Sequence, residues 1–452
     1  MSRNIILITV DSLRADHLGC YGYERDTSPT IDNLAASGHR FTNAFAHSGT
    51  TRTSFPAILT STYALMHGGY DQISSSRTLV SEVLSEDGYH TGGFHSNPFL
   101  SEEFGYAKGF DTFYDGQEAA SILGRLRQGV KRKLNTDGQL FQFLKRTFAA
   151  TEKHAGVEIG SPYVRADDLT DRAIAFLDSS EDKPTFLWAH YMDVHHRYIP
   201  PERHQRSFRE NPVSDRRSTQ LRRKMLESPG EITDEERQTL IDLYDAEIRF
   251  TDEQIQRLLD HARSTLGEDT VVLFTADHGE EFGEHGGYSH NTIHDEGIHV
   301  PLVVADRSAP AVHDDLVGLL DISPTVIDYA GLDIPDGYLG YSLREVIEGD
   351  RLPRNGIFGN WGEAEPGERQ FFFRDHEWKF IRRTDNEELY DLTSEAGEHK
   401  QIDNDHPEVV AELSAWVDDH AQIVDKTYEE LSAVELDADV EQRLKELGYK
   451  DP

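Results

Sequence analysis

The chain has almost no cysteine and an excess of acidic over basic residues. Cys20 is the only cysteine among 452 residues, which excludes an internal disulfide and a thiolate metal cluster. Lys and Arg number 45 against 82 Asp and Glu, giving a formal net charge of −37, and this balance argues against nucleic acid as a partner. The acidic residues are spread along the chain, as in a halophilic protein of a very salty cytoplasm, where about 1 M salt screens their repulsion. An acidic mesophilic protein is the alternative.

A long hydrophobic run is also missing near the start of the sequence. The stretch MSRNIILITVDS contains one six-residue apolar run. Such a run is shorter than the apolar core of a secretion signal or a membrane span. We therefore expect a cytoplasmic protein.

The sequence does contain short β-branched runs that are typical of buried strands. They are NIILITV at 4–10, TFLWAH at 185–190 and TVVLFT at 270–275. Continuous apolar runs of this length suit strands covered on both faces of a parallel sheet. Ile248, Ile255, Leu258 and Leu259 recur at helical spacing between the last two runs, as in a crossover helix. Strands alternating with helices predict an α/β sandwich.

Acidic residues follow the ends of these strands. Asp11, Asp193 and Asp277 all stand just past a strand, where α/β folds place their ligand crevice. His278 follows Asp277 directly, and a carboxylate beside an imidazole is a natural ligand pair for one divalent cation. Two carboxylates that converge without a cation or substrate would be costly neighbours. The pattern predicts a metal site at this edge of the sheet.

The character of the sequence changes after about Glu345. FFFRDHEWKFIRR at 371–383 and EELYDLT at 387–393 are typical of short antiparallel strands, and amphipathic helical sequence begins at Pro407. We predict a catalytic domain over 1–345 and a small α+β domain over 346–452.

Two segments are basic within this acidic chain. One is residues 122–146, inside an insertion predicted over about 120–165, and the other is 216–224. They form either a solvated helical surface or a docking face for an anionic substrate or an anionic membrane.

The motifs in their order resemble the sulfatase family of the alkaline-phosphatase superfamily. They are NIILITVDSLRADHLGCYGY, the hydroxyl-rich SGTTRTSFPAILTS, HYMDVHHRYIPP, TADHGE, HNTIHDEGIHVPLVV, WKFI and ELYDLTSEAGE. The resemblance covers essentially the whole chain. It implies an alkaline-phosphatase-like three-layer sandwich with a small C-terminal sheet domain. It also implies one divalent metal ion, Ca²⁺ in the family with Mn²⁺, Mg²⁺ or Zn²⁺ as alternatives, and a nucleophile at a helix N-terminus that attacks a sulfate or phosphate ester.

The resemblance assigns the nucleophile to Thr51. Family sulfatases have Cys-x-Pro-x-Arg before a Leu-x-Thr-Gly ending, and aligning on that ending places Thr51 at the cysteine, Thr53 at the proline and Phe55 at the arginine. A second register begins at Ser54 and loses the downstream match. Threonine cannot be converted to formylglycine, so the chain resembles superfamily branches that use a plain hydroxyl. The alternative is that Thr51 only caps a helix.

The resemblance also assigns roles to other individual residues of this sequence. His290 falls where sulfatases have a lysine that contacts the ester, and His195 matches the histidine after the middle strand. Ser12 replaces a second metal-binding aspartate, and Arg52 beside the nucleophile is placed to hold an ester oxygen. The resemblance thus implies the following site: Thr51, His195 and His290 as catalytic residues, Arg52 for the substrate, and Asp11, Thr51, Asp277 and His278 for the metal. Each histidine has a structural role as its alternative.

These assignments predict a metal-dependent hydrolase that cleaves a sulfate or phosphate ester of a glycan or lipid. A phosphodiesterase or a phosphoryl-head-group transferase is the first alternative. A sulfatase-like protein that binds anionic glycan or lipid without turnover is the second. Asp11, Asp277 and His278 argue against a binder, because a decayed site has no reason to keep costly charges together.

Overall fold

The computed structural model describes residues 3–116, 163–179, 183–290, 292–361 and 369–426. The strands are β1 (Ile5–Val10), β2 (His39–Phe45), β3 (His90–Phe94), β4 (Thr112–Tyr114), β5 (Thr185–Tyr191), β6 (Val271–Ala276), β7 (Glu281–Phe282), β8 (Tyr288–Ser289), β9 (Leu302–Ala305), β10 (Ala311–Gly318), β11 (Ile357–Trp361), β12 (Gln370–Arg374), β13 (Trp378–Arg382) and β14 (Glu387–Asp391). The helices are α1 (Pro29–Ser37), α2 (Thr51–Thr60), α3 (Val80–Glu86), α4 (Ala166–Asp178), α5 (Glu202–Phe208), α6 (Asp215–Glu227), α7 (Asp234–Leu266), α8 (Asp295–Ile298), α9 (Ile322–Ala330), α10 (Leu343–Glu348) and α11 (Pro407–Lys426).

A large mixed sheet forms the centre of the molecule. Within the described residues its strands run in the order β10-β2-β9-β6-β1-β5-β3-β4. The three predicted apolar runs become β1, β5 and β6, and β1 lies between the other two and parallel to both. Every residue of β1, β5 and β6 is buried. These runs read as continuous apolar sequence because helices cover both faces of the sheet.

Helices pack in two groups against this sheet. The predicted crossover helix is α7, whose Ile248, Ile255, Leu258 and Leu259 are buried, and it packs on α1, α4 and α5. On the other side α9 packs against α2, α3, α10 and β1. The result is the three-layer α/β sandwich that the sequence predicted.

The C-terminal part forms a separate small sheet. Strands β11 to β14 pair antiparallel in sequence order, and α11 packs on β12 and β13. The two predicted strand segments and the helix start at Pro407 are confirmed. Arg374 and Lys379 tie this sheet to the short helix α8, which precedes β9, through ion pairs with Asp295.

The basic segment 122–146 lies outside the described residues. The second one, 216–224, belongs to α6, and its charges are largely paired with carboxylates. Arg217 and Lys224 both contact Glu236, and Arg223 contacts Glu227 one turn on. These pairs favour the solvated-surface interpretation for this helix. In the described ranges, none of the helices combines the length and apolarity needed to cross a membrane.

Candidate active site

Asp11 and Asp277 lie side by side at the carboxyl edge of the large sheet. They directly follow Val10 and Ala276, the last residues of β1 and β6, which are paired in parallel register. Both carboxylates are fully buried. The parallel register therefore brings the two strand-end carboxylates together, as the sequence predicted.

Thr51 begins α2 and directs its hydroxyl at these carboxylates. The side chain is fully buried, and Oγ1 donates to Asp11 Oδ2 at 3.1 Å while lying 3.3 Å from His278 Nε2. The N-cap residue of the helix is Thr50, with extended backbone angles. Thr51 is therefore the first helical residue and not the cap. The positive end of the α2 dipole faces the same space, where it favours an anionic ligand.

Ser54, the alternative nucleophile, is turned away from the carboxylates. Its hydroxyl donates to the backbone carbonyl of Asp277 at 2.6 Å. Ser12 supports both carboxylates, with Oγ donating to Asp11 Oδ1 at 3.0 Å and its backbone N–H donating to Asp277 Oδ1 at 3.2 Å. Ser12 holds a φ of 58°, a left-handed conformation that costs energy for a serine and is found at functional sites.

His278 presents a lone pair to the carboxylates. Its Nδ1 lies 2.8 Å from the carbonyl of Gly279, which can only accept, so Nδ1 carries the proton. Burial, followed by the neighbouring His290, lowers the pKa of His278 to about 4, which keeps the ring neutral. Nε2 is then an acceptor that faces Asp11 Oδ1 at 3.8 Å and Asp277 Oδ2 at 3.6 Å.

Glycine is required directly after this histidine. Gly279 N–H donates to Gly297 O at 2.8 Å. A Cβ at Gly279 would lie 2.0 Å from the carbonyl oxygen of Glu296, so only glycine allows this close approach of two backbone segments.

The two carboxylates have opposite pKa shifts. Burial raises the pKa of Asp277 well above its usual range, and the charge of Asp11 raises it further. Burial also acts to raise the pKa of Asp11, but His195, His190 and His278 together hold it below its usual range. Asp277 Oδ2 accepts no hydrogen bond from the described residues. Acceptor atoms thus face one another here, an arrangement that a divalent cation would stabilise.

Three imidazoles form the wall beside His278. His195, His196 and His290 are buried, and the ring centroid of His290 lies 4.9 Å from that of His195 and 4.8 Å from that of His278. Burial lowers the pKa of His195 to about 3 and that of His290 to about 4, although Asp11 opposes both shifts. These rings are neutral hydrogen-bonding groups next to the carboxylates.

Arg52 lies at the rim of the site. Its guanidinium pairs with Asp71 and lies 4.9 Å from the ring centroid of Tyr70 and 5.1 Å from that of Phe99. The side chain is half-buried. An anionic ligand at Arg52 would compete with Asp71.

Sequence reasoning missed two residues next to Asp11. His190 Nε2 lies 3.4 Å from Asp11 Oδ2, and His190 can offer a ligand atom together with Asp11 and Asp277. Asn97 Nδ2 donates to Asp11 Oδ2 at 3.3 Å. A polar residue at the end of an otherwise apolar strand was the available signal for His190.

Asp193 is a correction to the strand-end prediction. It is buried, but it does not join the Asp11 and Asp277 pair. It lies near the start of α4, where burial raises its pKa to about 7 despite a hydrogen bond from the backbone of Ala166 and the charge of Arg165. Asp193 lies inside the turn that directly follows β5, which His195 N–H closes by donating to Met192 O at 3.0 Å.

Family models match nearly the whole described chain. The model named Sulfatase matches residues 3–332, and one named N-sulphoglucosamine sulphohydrolase, C-terminal, matches residues 283–422. The chain belongs to the sulfatase family. It is accordingly a hydrolase of sulfate or phosphate esters.

Curated relatives of this sulfatase-family chain are named as sulfatases. An arylsulfatase of Clostridium perfringens is 26% identical over 89% of this chain and 91% of its own length. An N-acetylglucosamine-6-O-sulfatase of Bacteroides thetaiotaomicron is 24% identical over 88% of this chain and 82% of its own length.

Solved structures share the fold. A protein in complex with its substrate D-glucosamine-2-N,6-O-disulfate has a TM-score of 0.71 at 19% identity, covering 97% of this chain and 100% of its own. A phosphonate monoester hydrolase of Agrobacterium radiobacter has a TM-score of 0.72 at 20% identity, covering 93% of this chain and 96% of its own. This fold therefore occurs both in a protein that binds a sulfated sugar as its substrate and in a hydrolase of phosphonate monoesters.

Proposed function

We propose that the protein is a metal-dependent hydrolase of sulfate or phosphate esters with Thr51 as its nucleophile. The observation that carries the proposal is the Thr51 hydroxyl at the start of α2, hydrogen-bonded to Asp11 and 3.3 Å from His278 Nε2. A hydroxyl is a weak nucleophile at its free pKa and needs activation. Asp11 orients this hydroxyl by accepting a hydrogen bond from it.

Asp11, Thr51, Asp277 and His278 are the proposed ligands of one divalent ion, with His190 as an additional candidate. The fit rests on the facing acceptor atoms of Asp11, Asp277 and His278. Imidazole nitrogen among the ligands favours Mn²⁺ or Zn²⁺ over Ca²⁺, which prefers oxygen. When bound, such an ion lowers the pKa of the Thr51 hydroxyl and polarises the ester.

The remaining residues contact the ester. His195 and His290, both neutral, are placed to donate hydrogen bonds to ester or leaving-group oxygens, where negative charge develops. The α2 N-terminus favours the same charge. Arg52 would exchange its ion pair with Asp71 for an ester oxygen, so Arg52→Gln should raise KM more than it lowers kcat.

The substrate is proposed to be a sulfated or phosphorylated glycan or lipid. Relatives named for sulfated glucosamine support a sulfated glycan. Thr51 in the place of the family cysteine supports the alternative, a phosphodiesterase or phosphoryl-head-group transferase, as does the phosphonate monoester hydrolase among the similar structures. A binder without turnover would not need a hydroxyl aimed at two buried carboxylates.

A substrate panel tests this proposal. Aryl sulfate, phosphate monoester, phosphodiester and phosphonate esters are assayed with Mn²⁺, Zn²⁺, Mg²⁺ and Ca²⁺ at high salt. Turnover of at least one ester class that chelation removes and one metal restores is the expected result. Turnover that survives chelation contradicts the proposed metal dependence. Stoichiometric ester binding without any turnover contradicts the proposal that the protein is an enzyme.

A further inference from the structure

A line of side chains runs from helix α6 into the histidine wall. Arg222 Nε lies 3.3 Å from His196 Nδ1. His196 Nε2 lies 3.1 Å from Ser289 Oγ, and Ser289 Oγ lies 3.2 Å from His290 Nδ1. All three contacts are within hydrogen-bonding distance. The line connects a surface helix with the ring that is proposed to contact the ester.

The direction of these hydrogen bonds follows from the first donor. A guanidinium only donates, so Nδ1 of His196 must accept from Arg222. Burial and the nearby cation of Arg222 both act to lower the pKa of His196 well below its usual value. A neutral His196 that accepts at Nδ1 carries its proton at Nε2 and donates it to Ser289 Oγ.

The hydrogen bond from His196 to Ser289 also fixes the direction of the hydrogen bond between Ser289 and His290. Its hydroxyl accepts from His196, and in the described part of the chain the hydroxyl's other partner is His290 Nδ1. The serine proton therefore points at Nδ1, and a neutral His290 carries its own proton at Nε2. Glu280 Oε2 lies 3.7 Å from the same Nδ1, beyond hydrogen-bonding distance.

The backbone at Ser289 gives a second reason to assign it a role. Its φ is 82°, a conformation that glycine adopts freely and that costs energy for a residue with a side chain. The residue is buried, so its hydroxyl does not reach solvent. Serine occupies a position where glycine would be relaxed, and its hydroxyl lies between two imidazoles.

We propose that Arg222, His196 and Ser289 are positioning residues that hold His290 as the tautomer protonated at Nε2. His290 then presents a fixed N–H donor to the ester or its leaving oxygen without carrying a charge. This inference rests on the proposed function, in which His290 contacts the ester. It gives Arg222 a different task from Arg217, Arg223 and Lys224 of the same helix, which pair with glutamates.

Ser289→Gly is the informative variant, because it removes the hydroxyl and relieves the backbone at once. The stability of the variant does not decide the role, because relief of the backbone is offset by the loss of the acceptor for His196 Nε2. A merely structural serine would leave activity unchanged in the folded variant. A positioning serine gives kcat lowered about tenfold, the effect of one lost hydrogen bond, and little change in KM. Arg307→Gly is the matched control, since Arg307 also has a positive φ, of 71°, at an exposed site.

The dependence of activity on the leaving group distinguishes a positioning role from a general loss of active-site structure. With aryl esters of phenols of increasing pKa, Ser289→Gly should lose more activity on the poorer leaving groups, because these depend most on a donor at the leaving oxygen. Arg222→Met should show the same trend, Arg222→Lys should partly restore activity, and Arg223→Met should match wild type. Arg222→Met combined with Ser289→Gly should be less than additive, because both act through one ring.

Nitrogen NMR of ¹⁵N-histidine-labelled protein reads the tautomer directly, with His290→Gln used for assignment. The expected signature is a protonated Nε2 and an unprotonated Nδ1 on His290, shifting toward a mixture in Ser289→Gly. A protonated Nδ1 in wild type overturns the inference, as does an unchanged leaving-group trend in both variants. A wild type without any ester turnover contradicts the proposed function instead, and the NMR result still decides the tautomer.

Discussion

Replacing Thr51 by alanine is the most direct test of the site. The substitution removes the hydroxyl that lies 3.1 Å from Asp11 Oδ2. For a covalent nucleophile, kcat should fall by at least about 10⁴, leaving only the contribution of binding and electrostatics. Asp11 keeps donors from Ser12 and Asn97, so the free energy of unfolding should change by only about 1 kcal/mol. The protein should fold and be inactive.

Ser54→Ala is the matched control one turn along the same helix. Its hydroxyl donates to the backbone carbonyl of Asp277, so its loss leaves a buried carbonyl with one donor fewer. Stability should fall by about 1 to 3 kcal/mol, while kcat should stay within about tenfold of wild type. Thr51→Ala should therefore lower kcat with little effect on the free energy of unfolding, and Ser54→Ala should lower the free energy of unfolding with little effect on kcat.

The assay combines kinetics with mass spectrometry. Saturating turnover of the best panel substrate and urea unfolding are measured for wild type, Thr51→Ala, Thr51→Ser and Ser54→Ala. Thr51→Ser should keep part of the activity because it retains a hydroxyl. Intact and peptide mass spectra with a slow substrate should show a sulfuryl or phosphoryl adduct on the peptide that contains Thr51. An adduct on Ser54, or an inactive Ser54→Ala beside an active Thr51→Ala, would refute the assignment.

Further predictions concern the metal, salt and pH. Metal at a hundredfold excess over its Kd should stabilise the wild type by about 2.7 kcal/mol and raise its Tm. Asp277→Asn and Asp11→Ala should each abolish both this stabilisation and the activity. Activity retained by either variant at saturating metal would place the site elsewhere. The net charge of −37 should make Tm rise between about 0.1 and 3 M salt, which a flat salt profile in thermal melts would contradict. Burial lowers the pKa of His47 to about 4 and that of His420 to about 3. The unfolded chain takes up these protons below about pH 6.5 while the folded chain does not, so stability should fall as pH drops from there toward the folded values. His420→Leu should flatten urea midpoints measured over that window, and an unchanged slope would exclude this histidine as a cause.

Local sequence determined the strands and the kinds of ligand at their ends. β1, β5 and β6 were predictable because a strand covered on both faces has to be apolar at every position. Asp11 and Asp277 were predictable as a pair because parallel neighbouring strands end at one edge. The start of α2 at a hydroxyl-rich segment was likewise a local signal.

The partners of each functional group depended on the tertiary structure. The choice between Thr51 and Ser54 turns on which hydroxyl α2 aims at Asp11, and the packing angle of a helix is not encoded in its own sequence. His190 was hidden inside a strand, and only its pairing with Thr9 of β1 brings it to Asp11. His196 and Ser289 are 93 residues apart along the chain. Their contact arises because the loop after β5 packs against strand β8, a consequence of global packing that no local pattern records.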